Sequence, residues 1–285
     1  MMQVFGFIQK LCWLIICLKI KLKQSKEILI RILDNFLLIE DGINFMKIAI
    51  LICGQPRFTD DFNLLLNNIK GYDQADWFCY FTGDNQHIPH NKLPSDAWRK
   101  ITDVNQASAN LQAMLPLNNF VRSFELSDSD YVELPKEPQG IPTPAYKLWY
   151  NLYKVNQLRL NFEIENTVKY DMIVRIRPDI GLVDELDLST INLEDLKIAI
   201  ITPRNKIAGH LHLSPDSPQM CDMFAIACSE HMSIYCDMFN HATTNFFTQT
   251  VQSWHTESAL ALHLRQNNVF ITPGNFRISI RGDAG

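Results

Sequence analysis

Three short stretches of this 285-residue chain set charged side chains beside residues that fix the backbone. The first is Gly54-Gln55-Pro56-Arg57, directly after the apolar run IAILIC. Glycine lets a ligand approach the backbone closely, proline stiffens the turn, and arginine can grip a phosphate with two parallel hydrogen bonds. The same residues also suit an ordinary strand-to-helix turn with Arg57 on the surface. The second stretch is Arg175, Arg177 and Asp179, at the end of YDMIVRI. Side chains two apart share a strand face, so the three line up unless Pro178 turns the chain. Two guanidinium groups suit a pyrophosphate, and the carboxylate suits a divalent metal or a ribose hydroxyl. The plain alternative is an ion-pair ladder on one sheet face. The third stretch is Asp222, just ahead of MFAIAC, with His255, Glu257 and His263 further along. Asp222 and Glu257 are candidates for an acid, a base or a metal ligand. Glu257 also opens a helix-like segment, where a carboxylate serves as a cap. His263, two turns further, reads as structural.

These residues need a frame that brings strand ends together. Lys47 to Cys53 is a short apolar, β-branched run, as expected of a strand buried on both faces. A helix-like segment follows over Asp60–Ile69, then a strand over Asp76–Phe81, a polar loop over Asn85–Pro94 and a helix over Ser95–Leu115. Val121–Glu133 is mixed, and Pro135–Pro144 is a loop with four prolines in ten residues. Tyr146–Glu165 is the clearest helix, with Tyr146, Trp149, Leu152, Tyr153, Leu160 and Phe162 on a broad apolar face, read as core before sugar-stacking platform. Strands are expected over Tyr170–Ile176, Lys197–Thr202, Met223–Cys228 and Val269–Thr272, and helices over Ser229–Asn240 and Thr256–Gln266. Alternating strands and helices predict an α/β fold, a mostly parallel central sheet flanked by helices. In open α/β sheets ligands bind beyond the carboxyl ends of the strands, where the first two stretches fall.

Composition narrows the class. Hydrophobic residues make up 47% and charged residues 20%, which excludes a disordered chain. A net charge of −5 argues against nonspecific nucleic-acid binding, which draws on many basic residues. The seven cysteines form no CxxC pair and mostly sit in apolar runs, so buried reduced thiols and a reducing compartment are expected. No zinc spacing occurs among the eight histidines, the Asp128–Asp130 DxD lies in a polar stretch without a buried strand before it, and P-loop, GxGxxG and GxSxG motifs are absent.

Residues 1–45 read as an apolar and amphipathic helical extension before a 46–285 domain. Met1–Leu18 carries a single charge, Lys10, and Lys19, Lys21, Lys23 and Lys26 follow. A span needs about 20 apolar residues, and a central lysine costs about 2.5–3.5 kcal/mol, so residues 1–26 are a marginal span or an interfacial helix. The charge order is not that of a signal peptide, and if the segment inserts, the lysines and the domain face the cytoplasm. Met46-Lys47 before the first strand equally suits a natural start, with residues 1–45 an upstream extension.

MKIAILICGQPRF, DWFCYF, YKLWYNLYKVNQL, YDMIVRIRPDI, DMFAIACSEHMSIY and HTESALALHL occur in that order. This ordered set resembles a glycosyltransferase-like family of bacteria and large viruses. In that family a GQxR turn, an RxRxD strand end, a DxFAI strand and a late ExxLxxHL helix recur. The resemblance covers Met46 to Thr272 and implies a GT-A-type nucleotide-sugar transferase domain. In such domains a carboxylate motif at a strand end binds a divalent metal, Mn or Mg, on the donor diphosphate. Asp179 matches that carboxylate, but it stands alone between arginines, which puts the metal in doubt and leaves Arg175 and Arg177 to neutralise the diphosphate.

The resemblance further implies donor binding by Gly54, Gln55, Arg57, Arg175, Arg177 and Asp179, with Glu257 or Asp222 as the catalytic base. The expected partners are a nucleotide-sugar donor and a glycan or lipid-linked acceptor, not nucleic acid, with membrane association through residues 1–26. The expected location is the cytoplasm or the cytoplasmic membrane face. A non-catalytic nucleotide- or carbohydrate-binding protein and a sugar-phosphate transferase are the alternative readings.

Overall fold

The computed structural model describes residues 46–56, 60–72, 74–82, 104–127, 143–204, 220–242 and 256–280. The expected N-terminal extension, Arg57, His255, the DxD at Asp128–Asp130 and most of both polar loops lie outside them. Among the described residues no helix is long and apolar enough to cross a membrane.

The continuous apolar run becomes β1 (Ile48–Gly54), buried along its length because strands flank both edges and helices cover both faces. Chain order continues through α1 (Asp60–Asn68), β2 (Ile69–Lys70), β3 (Asp76–Thr82), α2 (Val104–Met114), β4 (Phe120–Ser127) and α3 (Thr143–Asn166). Then come β5 (Met172–Ile176), β6 (Ile180–Leu182), β7 (Leu186–Asp187), α4 (Leu193–Leu196), β8 (Ala199–Pro203) and β9 (Phe224–Ala227). The fold closes with α5 (Ser229–Cys236), α6 (Met238–Ala242), α7 (Thr256–Gln266), β10 (Phe270–Gly274) and β11 (Ile278–Ile280).

Seven strands form the central sheet in the order β10-β8-β9-β5-β1-β3-β4. All neighbours run parallel except β9, which is antiparallel to both β5 and β8. The mostly parallel α/β sheet read from the sequence is therefore present, with one reversed strand that apolarity could not reveal. The mixed stretch after Val121 is the edge strand β4, and the expected helix after Ser229 is two helices meeting at Asp237. Val104–Met114 is the described part of the helix expected from Ser95.

Alternation along each strand divides the core in two. Ile50, Ile52, Trp77, Val174 and Ile176 face α1 and α2, whereas Leu51, Cys53, Tyr80, Ile173 and Ala225 face α3, α5, α6 and α7. Tyr146, Trp149 and Leu152 are wholly buried core, while Tyr153, Leu160 and Phe162 of the same expected face are half-buried. Cys53, Cys79, Cys221, Cys228 and Cys236 are free thiols. α7 ends where Asn268 turns to φ 59°, with Asn268 N–H donating to Arg265 O at 3.0 Å and Val269 N–H to Leu264 O at 2.9 Å. Asparagine tolerates that left-handed turn, and the two bonds satisfy carbonyls the helix leaves open.

Candidate functional site

β1 is followed in the sheet by β3 and β4 on one side, and β5 lies on the other. The crossovers therefore diverge at the β1/β5 boundary and leave a crevice beyond the two carboxyl ends. Register places the candidate residues at that point. Ile52 pairs with Ile176, and Ile176 with Phe224. One step further stand Arg177 and Met223, after which the chain turns at Pro178–Asp179, so Pro178 takes Asp179 out of the line of the strand. Those two residues are tied together by Arg177 N–H donating to Met223 O at 2.9 Å.

Gly54 ends β1 with φ 122°, a conformation open to glycine and strained for other residues. A Cβ built there meets no atom of the described residues within 4 Å, so among them the backbone faces open space. Gln55 is half-buried beside it.

Arg175, within β5, and Arg177, just after it, have different surroundings. Arg177 clasps Asp179, with Nε donating to Oδ1 at 2.5 Å and Nη2 to Oδ2 at 3.3 Å. The Asp179 side chain is 4% exposed and the Arg177 side chain 27%, so the open side of the pair is the guanidinium. Arg175 is wholly buried, with Nη1 donating to Met223 O, Nη2 lying 4.0 Å from Cys53 Sγ and Nε without a partner. The sequence suggested that Arg175 grips phosphate directly; a side chain without exposed surface has no face for a ligand in this state.

Asp222 and Glu257 come together although 35 residues separate them in sequence. Met220 N–H donates to Glu257 O at 3.4 Å, and Cys221 N–H to Thr202 Oγ1 at 3.3 Å, which fixes the entry to β9 against α7 and β8. Thr256 Oγ1 donates to Glu257 Oε2 at 3.0 Å and also faces the Asp222 carboxylate. Burial and the neighbouring Glu257 raise the Asp222 pKa, against the opposing pull of Arg177, Arg175 and the Thr256 hydroxyl. Asp222 thus joins the two sequence stretches that carry arginines and carboxylates. His263 lies apart from them, buried between α7 and α5, with Nε2 donating to Ile234 O at 2.7 Å.

A divalent cation takes several oxygen ligands. Here the lone strand-end carboxylate, Asp179, turns both oxygens to a guanidinium, an arrangement that fits an ion pair better than a metal. The sequence did not reveal Thr256, whose hydroxyl stands between two carboxylates; its only signal was its position one residue before Glu257. Elsewhere, a cleft of about 280 Å³ opens between α3, α5 and α7, lined by Tyr153, Asn156, Asp237 and His263 among others, and it shares no residue with the strand-end cluster.

No protein-family model and no curated protein sequence matches the chain.

Proposed function

We propose that this chain is a nucleotide-sugar transferase with a GT-A-like domain, which moves a sugar from a nucleotide donor to a glycan or lipid-linked acceptor. The observation that carries the reading is the meeting of Gly54, Gln55 and Arg177 at the point where the strand order diverges, with Asp222 and Glu257 beside them. Open α/β sheets bind nucleotides in that crevice.

In this reading the donor diphosphate lies against the open backbone of Gly54 and the exposed side of Arg177. The acceptor hydroxyl attacks the anomeric carbon, the bond from that carbon to the diphosphate oxygen breaks, and its electron pair leaves with the diphosphate. A fixed guanidinium stabilises the charge that develops there without reorganising. The hydroxyl proton passes to one of two neighbouring carboxylates. Glu257 is the more exposed, and Asp222 is the one whose proton affinity burial raises.

The test is donor hydrolysis and transfer by the full chain across nucleotide sugars. Arg177→Ala is expected to lower turnover by about 10²–10³-fold. Whichever of Glu257→Gln and Asp222→Asn removes the base lowers transfer by about 10²–10⁴-fold. A chain that binds and turns over nucleotide sugars equally well with all three substitutions refutes the assignment.

A further inference from the structure

We propose that Arg177 takes the place of a divalent metal in this site, and that Asp179 is its competing internal counter-ion rather than a metal ligand. The inference rests on the diphosphate reading above and specifies how the diphosphate is held.

The geometry of one side chain leads to it. A guanidinium has five N–H donors, and Arg177 spends two of them on Asp179. The other three, on Nη1 and Nη2, make no hydrogen bond among the described residues and belong to a side chain that is 27% exposed. Arg177 follows Ile176, the register partner of Ile52, and Gly54 ends β1 two residues after Ile52, so both stand at the carboxyl ends of adjacent parallel strands. Arg175, two residues earlier and fully buried, is a second positive charge that acts on the same Asp222 carboxylate as Arg177. A divalent ion brought to Asp179 would have to displace the Arg177 guanidinium from both carboxylate oxygens, whereas an anion meets the guanidinium's remaining donors, with the Asp222 carboxylate also facing Arg177.

Asp179 then has a defined part. It neutralises Arg177 while the site is empty and holds the fork pointing along the crevice. An incoming diphosphate shares or takes over the guanidinium, and the carboxylate opposes it by like-charge repulsion. Metal coordination by Asp179 predicts the reverse, since removing that ligand would abolish binding.

The experiment is calorimetric titration of the full chain with inorganic pyrophosphate, in EDTA and in Mn²⁺. For the wild-type chain, binding of similar strength in both buffers is expected. Asp179→Asn, which keeps the size and an acceptor oxygen but removes the charge, is expected to bind pyrophosphate about five- to tenfold more tightly in EDTA. Arg177→Gln is expected to lose binding, and Arg177→Lys, which keeps the charge but not the fork, to fall between. Wild-type binding that appears only with Mn²⁺, or weaker binding by Asp179→Asn, overturns the inference while leaving the diphosphate reading in place. Absence of pyrophosphate binding in either buffer overturns both. The wild-type comparison needs no variant to fold, and thermal melts of each variant separate lost binding from lost structure.

Discussion

Arg175 donates through Nη1 to the carbonyl oxygen of Met223, the residue that leads into β9. The Arg177 N–H donates to the same carbonyl at 2.9 Å, so one acceptor ties the end of β5 to the only antiparallel strand of the central sheet. Asp222 is the next residue back from that bond, and its place beside Arg177 follows from it.

Arg175 itself is poorly compensated, with Nε unpartnered and one long contact to a sulfur. Replacing a buried charge of this kind by an apolar side chain of similar volume is often close to neutral. Arg175→Met is expected to change stability by no more than about 1.5 kcal/mol, because the Arg177 N–H still satisfies Met223 O. Chemical denaturation checks this, and a loss several times larger refutes it.

Arg159 gives the opposite outcome under the same substitution. It is wholly buried on α3, and every donor is used: Nε and Nη2 on Asn156 Oδ1, Nη1 on Glu163 Oε1 and Ser229 Oγ, Nη2 also on Ser233 Oγ. Arg159→Met leaves the nearly buried Glu163 without its cation and uncouples α3 from α5. The expected loss is about 3–5 kcal/mol, a drop of roughly 2–4 °C in melting temperature for each kcal/mol.

Asp222 makes stability depend on pH in an unusual direction for a carboxylate. Its pKa is raised in the fold, by burial first and by Glu257 second, so the folded state binds this proton more tightly than the unfolded chain. Its contribution is therefore greatest at low pH and is lost as pH rises from about 3.9 through the raised folded value. Asp222→Asn cannot lose that proton. The variant is expected to gain stability relative to the wild type across the same window, seen in melts from pH 4 to 8. A difference that stays flat with pH contradicts the burial of an ionisable Asp222.

His263 acts in the other direction. Burial lowers its pKa, and its Nε2–H is spent on Ile234 O while Nδ1 is buried without a partner. Protons bind the unfolded chain more readily, so stability falls as pH drops below about 6.5 toward the lowered value. His263→Gln is expected to flatten that acid limb of the melting profile, at the expense of some stability at neutral pH.

Gly54→Ala separates backbone strain from crowding. The added methyl has open space, but φ 122° does not suit alanine, so a loss of about 1–2 kcal/mol is expected. In the proposed function the methyl also fills the surface against which a diphosphate lies, so binding should weaken by more than the stability loss explains. Titration with pyrophosphate beside a melt distinguishes the two effects.

Periodicity, run length and β-branched content made the main elements legible. IAILIC reads as a strand covered on both faces from its shortness and β-branched content, and the long aromatic face from Tyr146 as a helix against a core from its 3.6-residue period. The strand-end positions of Gly54, Arg177 and Asp179 were legible for the same reason. Pairing was not. Nothing in MFAIAC says that it runs antiparallel, since a strand buried on both faces carries the same pattern in either direction. That reversal sets Asp222 beside Arg177 and brings Thr256 and Glu257 across from α7. The fates of Arg175 and Arg177 were also beyond sequence. The two arginines stand two residues apart, but Arg175 lies within β5 and is buried with its guanidinium against Met223 O and Cys53 Sγ, whereas Arg177 lies just past the strand and is left partly open. Solvation of a charge depends on what the chain packs over it, and only the tertiary structure decides that.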